Sequence, residues 1–244
     1  MKSVFHVLDE KEKTRIHNDA IRILTEIGVK FPVEEALSLL EDGGAVVDYD
    51  TQIAKISESM VDTALAVMPK TVHFGARDPE MAFDLPTENI YVNLDGCGVS
   101  VYDFENDRKR DAVLSDVADA ALVFDALPLG RLLWPPVSPV DVPVAPRSII
   151  STATSFLNSS KHVMDEVKSV EEVPYVLELS KAIAGGEKEM RENPMYSVTY
   201  CPVSPLYHDE KMLSATMELT EYDVPILVYP MSATGTTGPG SLYS

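Results

Sequence analysis

Between Tyr196 and His208 a strand-like run ends abruptly in a segment rich in reactive groups, YSVTYCPVSPLYH. Pro202 has no N–H to give to a sheet, so the run must stop at Cys201. Cys201, Ser204 and His208 then follow in close succession. A cysteine and a histidine at this spacing can hold a metal or act as nucleophile and base. Either use requires the two side chains to converge, which a separation of seven residues across two prolines does not supply. A buried, inert Cys201 is the simpler reading. Ser204 can donate a hydrogen bond to a ligand or cap the turn that follows it. A second such place is DGCG, Asp95 to Gly98, which follows a short apolar run. Asp95 can point into a cavity or bond the backbone of its own turn. Both places lie at the ends of strand-like runs, where parallel α/β sheets and barrels bind ligands, so function is sought there first.

The elements that must position these groups can be read in order. Asp9 and Glu12 form a capping box before the apolar stripe Ile16, Ile23, Leu24 and Ile27, which Gly28 ends. A second helix is expected from Val33 to Glu41, a hairpin within Ala45 to Ile56, and a third helix from Ser57 to Met68, broken by Pro69. These form an expected N-terminal helical cap with a small hairpin over residues 1–70. Gly75 and Asp78-Pro79 mark turns, Ile90 to Leu94 is a short strand, and the turn ENDR joins a two-stranded ribbon, Val99 to Phe104 and Arg108 to Val113. A helix opening at Asp116 and Asp119 runs to Leu127.

From there the pattern is periodic. Strands begin near Leu129, His162, Tyr196 and Val224, with helices Pro146 to Asn158, Val170 to Ala184 and Asp209 to Tyr222 between them. Ser169 and Glu172 read as a capping box for the middle helix, and Gly185-Gly186 close it. Glu187, Glu189 and Glu192, interleaved with Lys188 and Arg191, read as a solvated face, and Gly235 to Gly240 could approach a ligand closely. A spacing of about 30 residues between strands marks βα units and a parallel sheet over residues 71–244. An open doubly wound sheet satisfies the spacing too, but no GxGxxG follows any strand and no Walker-type loop is present. Only four or five of the eight strands of a complete barrel are visible, so the barrel is expected to be partial, ending before closure.

Composition narrows the function classes. The chain has 244 residues, 45% hydrophobic and 24% charged, as an ordinary globular enzyme does. Its 20 basic against 39 acidic residues give a net charge of -19, a poor surface for nucleic acid. Cys97 and Cys201, the two cysteines, make neither a disulfide framework nor a four-ligand zinc site, so no resident metal is expected. No apolar leader or membrane-length run is present, which gives the expectation of a cytoplasmic protein away from membranes.

The blocks IHNDAIRILTEIGVKF, HFGARDP, GGEKEMRENPMYSVTYCPVSPL and VPILVYPMSATGTTGPGSL together resemble the trimethylamine methyltransferase family. That family includes pyrrolysine-containing trimethylamine:corrinoid enzymes and relatives without pyrrolysine, some acting on glycine betaine or other quaternary amines. The resemblance covers the amino-terminal half or so of a family member, and no pyrrolysine can be assigned to any position of this chain. It implies an α/β protein of the TIM-barrel (β/α)8 type and transfer of a methyl group from a methylated amine to the Co(I) centre of a separate corrinoid protein. No corrinoid (cobalamin) is then bound intrinsically; a partner protein supplies it. Such a reaction must line up an electrophilic methyl carbon with its nucleophile, a positioning problem first. Aromatic faces and a carboxylate commonly hold a methylammonium. Trp134, the only tryptophan, with Asp141 seven residues beyond it, and Tyr229 at the end of the last strand are the candidates, beside Asp95, Cys201, Ser204 and His208. A core or loop-packing aromatic is the simpler reading of Trp134, and no residue is assigned a catalytic role. A donor other than an amine, or a catalytically empty half-barrel serving as a binding or assembly element, are the alternatives. An exposed sheet edge invites pairing with another chain, and a homo-oligomer is expected.

Overall fold

The computed structural model describes residues 7–238 and 240, so Pro239 of the expected glycine-rich approach lies outside the described residues. The chain divides into two compact units. The first takes the described residues 7–68, 202–210, 230–238 and 240. Helix α1 (Glu10–Glu26) opens on a complete capping box: Asp9 Oδ1 accepts the Glu12 amide at 2.8 Å and Glu12 Oε2 accepts the Asp9 amide at 2.8 Å. This satisfies two of the four N-terminal amides that a helix leaves open. Strand β1 (Val29–Lys30), helix α2 (Glu34–Asp42), strands β2 (Val46–Asp48) and β3 (Ile53–Lys55) and helix α3 (Glu58–Val67) follow. The expected hairpin is β2–β3, and β1 adds to it antiparallel, giving the order β1-β3-β2 over a small core of Val29, Leu37 and Ala54. Residues 202–210 return to this unit. The Lys30 amide donates to the Leu206 carbonyl at 2.9 Å, and the His208 amide donates to the Lys30 carbonyl at 3.1 Å.

The second unit, Pro69–Cys201 with Lys211–Tyr229, carries the larger core. It begins with an antiparallel pair absent from the sequence expectation, β4 (Val72–Phe74) and β5 (Phe83–Leu85), whose Phe74 and Phe83 rings stack at 5.1 Å. The strands are three residues each, too short for a legible alternation. Then come β6 (Val92–Leu94), the ribbon β7 (Ser100–Asp103) and β8 (Arg108–Asp111), α4 (Leu114–Asp125), β9 (Gly130–Leu133), α5 (Arg147–Asn158) and β10 (His162–Asp165). The unit closes with α6 (Val173–Ala184), α7 (Glu187–Glu192), β11 (Tyr196–Tyr200), α8 (Glu210–Thr220) and β12 (Ile226–Val228).

Two local expectations change, and a third is extended, since Glu187, Glu189 and Glu192 are exposed as a solvated face. Helix α4 starts at Leu114 rather than Asp116, because Asp116 accepts the Val113 amide at 2.8 Å from inside the first turn. The Ser169/Glu172 capping box does not form. A 3-10 turn over Val170–Glu172 precedes α6, and Glu172 accepts the Lys168 amide at 3.0 Å instead. The acidic-basic stretch after Gly186 is helix α7, with Met190 turned into the core.

Strands β6, β9, β10, β11 and β12 form one curled sheet in which every neighbouring pair is parallel. Its order follows the chain order without reversal. A doubly wound sheet would reverse direction at a switch point, and this one has none. Register and alternation assign the faces. Leu133, Val163 and Val198 join the core with Phe156 of α5, Val176 of α6 and Leu219 of α8, on the helix-covered face. Leu132, His162, Ser197, Thr199 and Leu227 occupy the opposite, inner face by the same alternation. The contact of His162 Nε2 with Ser197 Oγ at 2.8 Å confirms that side. The residues that come first after each strand therefore continue the inner face at its C-terminal rim.

Candidate functional site at the strand ends

Five residues hold that position: Asp95 after β6, Trp134 after β9, Glu166 after β10, Cys201 after β11 and Tyr229 after β12. Four of them are expected from the sequence. Glu166 is not, because HVMDE reads as a strand running out into solvated acids. Two consecutive carboxylates directly at the end of an apolar run were the available signal.

Three of these side chains are joined. Tyr229 donates its hydroxyl to Glu166 Oε1 at 3.0 Å, and its ring meets Trp134 edge-on at 5.8 Å between centroids. Burial, then the negative charge and hydrogen bond of Glu166, raise the Tyr229 phenol, so it remains a neutral donor. Trp134 is only 7% exposed, and a Cβ on Gly96 would lie 2.6 Å from its ring, so glycine is required where DGCG crosses the indole.

Trp134 Nε1 donates to Asp165 Oδ1 at 3.1 Å. The same carboxylate accepts the Glu166 amide at 2.8 Å, Ser148 Oγ at 3.1 Å and Thr152 Oγ1 at 3.0 Å. Asp165 thus ties β9, β10 and α5 together and fixes the backbone that carries Glu166. Burial pushes its carboxyl up to about 6 against the four donors, which pull it down.

The remaining candidates are placed as follows. Asp95 Oδ1 accepts its neighbour's amide, Gly96 N, at 3.0 Å, the turn role. Asp141 accepts the Leu114 amide at 2.9 Å and so caps α4. Ser204 donates to the Met231 carbonyl at 3.2 Å, and His208 stacks on Phe31 at 4.5 Å, both within the first unit. Burial lowers the His208 imidazole. Among the described residues no three His, Cys, Asp or Glu side chains are grouped to hold a metal ion.

A cavity of about 290 Å³ opens beside the strand ends, lined by Cys97, Arg147, Ser148, Ser151, Asp165 and Glu166 among others. Partial desolvation, then the charges of Glu166 and Asp165, push the Cys97 thiol up, which works against a thiolate nucleophile there. The geometry offers a carboxylate, a phenol and an aromatic pair beside a cavity, suited to holding a cation rather than to hydrolysis.

The profile of the trimethylamine methyltransferase (MTTB) family matches residues 2–244. The trimethylamine methyltransferase MttB of Desulfitobacterium hafniense (strain DSM 10664 / DCB-2) is 30% identical over 229 residues, 93% of this chain and 46% of the relative. The glycine betaine methyltransferase of Desulfitobacterium hafniense (strain Y51) is 27% identical over 240 residues, 98% of this chain and 49% of that protein. The trimethylamine methyltransferase MttB of Methanosarcina barkeri (strain Fusaro / DSM 804) is 27% identical over 235 residues, 93% of this chain and 47% of the relative. The chain spans about half the length of these relatives. Among the described residues no helix is long and apolar enough to cross a membrane. The chain belongs to the trimethylamine methyltransferase family.

Proposed function

We propose that this chain binds a methylated amine at the rim of its parallel sheet and orients one N-methyl group for transfer to a corrinoid carried by a partner protein. The observation that carries the reading is the Glu166–Tyr229 pair beside Trp134, at the end of three different strands. A methylated ammonium has a diffuse positive charge and an apolar shell, so it is held by a carboxylate together with aromatic rings. Asp165 supports this first layer by anchoring both the indole and the Glu166 amide. The sheet order supports a (β/α)8 barrel of which the described residues supply five strands.

The corrinoid would act as co-substrate, its Co(I) state supplying the nucleophile that accepts the methyl group. The chain's own part is binding and orientation: Glu166 balances the ammonium charge, Tyr229 holds Glu166 in place, and the rings exclude water around the methyl groups. Methylation of a Co(I) corrinoid protein, followed spectrophotometrically with trimethylamine, glycine betaine and non-amine methyl donors, tests the reading. Methylation with an amine and its loss in Glu166→Gln is the expected result. Methylation with a non-amine donor alone would overturn the amine assignment, and no methylation with any donor would leave the assembly-element alternative.

A further inference from the structure

The ribbon β7–β8 carries a surface that the strand-end site does not use. One of its faces is anchored. Val101 packs with Ala112, Val117 and Val137, and Arg110, opposite Val101 across the ribbon, donates Nη1 and Nη2 to the two Asp116 carboxylate oxygens at 2.7 Å. Alternation sends Tyr102 and Lys109, the next pair, to the outward face. Phe104 follows at the tip, 87% exposed, and its ring meets Tyr102 edge-on at 5.1 Å. The Tyr102 hydroxyl donates to Asp107, which steadies the pair as one aromatic knob. Arg108, Lys109 and Arg110 are the one run of three consecutive basic residues in a chain of net charge -19. Among the described residues Arg108 and Lys109 form no ion pair, whereas Arg110 has Asp116.

The same unit offers a matching hollow. A cleft of about 400 Å³ lies between the start of α5 and the start of α6, walled by Pro146, Ile149 and Tyr175 and edged by Glu171 and Glu172. Val144 and Val170, each next in sequence to a lining residue, are exposed, as is Tyr175. A hydrogen bond from Ser169 lowers the Glu171 carboxyl, so it is charged at neutral pH. An aromatic knob beside cations and an apolar hollow beside carboxylates are complementary in shape and charge. One aromatic side chain buries about 150–250 Å², well short of the roughly 1,200 Å² of a stable pair. A two-fold arrangement uses Tyr102, Phe104 and the cleft of both copies, and so reaches that size.

We propose that this chain pairs with a second copy of itself about a two-fold axis, the Phe104 tip of each copy seated in the α5–α6 cleft of the other, with Lys109 facing Glu171. The interface is independent of the cation site proposed above and uses none of its residues.

Sedimentation velocity of the chain in about 0.05 M and about 0.5 M salt tests the pairing. A dimer that is tighter at the lower salt is expected. Phe104→Ala should raise its dissociation constant about thirtyfold or more, with an unchanged unfolding midpoint because the ring is exposed. Lys109→Glu and Glu171→Lys should each weaken the dimer about tenfold. The two together in one chain should restore most of it, since each new carboxylate then meets a new ammonium. A monomer at both salts, at about 0.1 mM chain, overturns the proposal. So does a dimer indifferent to Phe104→Ala, which places the contact elsewhere, such as the β12 edge. Charge reversals that have no effect, or that do not recover when combined, overturn the arrangement as placed here.

Discussion

Replacing Asp165 by asparagine separates two effects that oppose each other at the heart of the site. Burial pushes the carboxyl from 3.8 to about 6, which corresponds to about 3 kcal/mol against the charged form in the folded state. A folded pKa above the unfolded one means that the folded protein takes up a proton first. Stability contributed by Asp165 is therefore greatest at low pH and falls as pH rises from about 4 to about 6. His162 does the reverse. It is fully buried between the Gly75 carbonyl and Ser197, and burial lowers it from 6.5 to about 4, so acidification through that window destabilises the fold by a similar amount, about 3 kcal/mol. In the wild type the two trends offset each other, and the pH profile alone says little. Asp165→Asn removes one of them. Its amide can keep the four contacts, since the Ser148 and Thr152 hydroxyls can turn to accept while the remaining oxygen takes the Trp134 and Glu166 N–H groups. Urea unfolding followed by Trp134 fluorescence should show the variant gaining on the wild type by about 2–3 kcal/mol between pH 4 and pH 7. A gap that stays flat across this range would refute the argument and place the carboxyl at its ordinary value, held down by its four donors.

Other perturbations bear on the same scaffold. Gly96→Ala puts a Cβ 2.6 Å from the Trp134 ring, and should shift the emission of this single tryptophan and cost about 1–3 kcal/mol. Lys161 is 1% exposed and donates to the Phe124 carbonyl at 2.7 Å and to the Leu127 carbonyl, so Lys161→Met removes two charge-assisted hydrogen bonds, although each carbonyl keeps a backbone donor, the Leu127 and Gly130 amides. A loss of about 2–4 kcal/mol is expected, with faster amide exchange in the last turn of α4 as the local readout. Phe156→Ala empties the centre of the layer between α5 and the sheet, at about 3–5 kcal/mol by thermal or urea unfolding.

Much of the frame was legible because its signals are local. Pro202 after YSVTYC and Pro135-Pro136 after Trp134 mark strand ends within a few residues, and the first residue past each strand is where Trp134, Cys201 and Tyr229 lie. The missing residues depend on long-range contacts. Asp165 is defined by partners 13, 17 and 31 residues away, which no local pattern carries. Asp141 fails as a neighbour of Trp134 for the complementary reason. The intervening segment pairs with Gly98 and with the Ala112 carbonyl, and this carries Asp141 to the start of α4. Ser169 and Glu172 have the spacing of a capping box, but the 3-10 turn at Val170–Glu172 takes that geometry away. The family was legible only from blocks of sequence, since composition and periodicity alone fit many α/β enzymes.

The central claim is a cation site built on Glu166, and binding of trimethylammonium by the chain tests it most directly. Calorimetry should give saturable binding that Glu166→Gln weakens about tenfold or more and Tyr229→Leu weakens by a smaller factor. Trp134 emission should change with the same midpoint. Binding indifferent to Glu166→Gln, in a variant whose unfolding midpoint matches the wild type, would contradict the account.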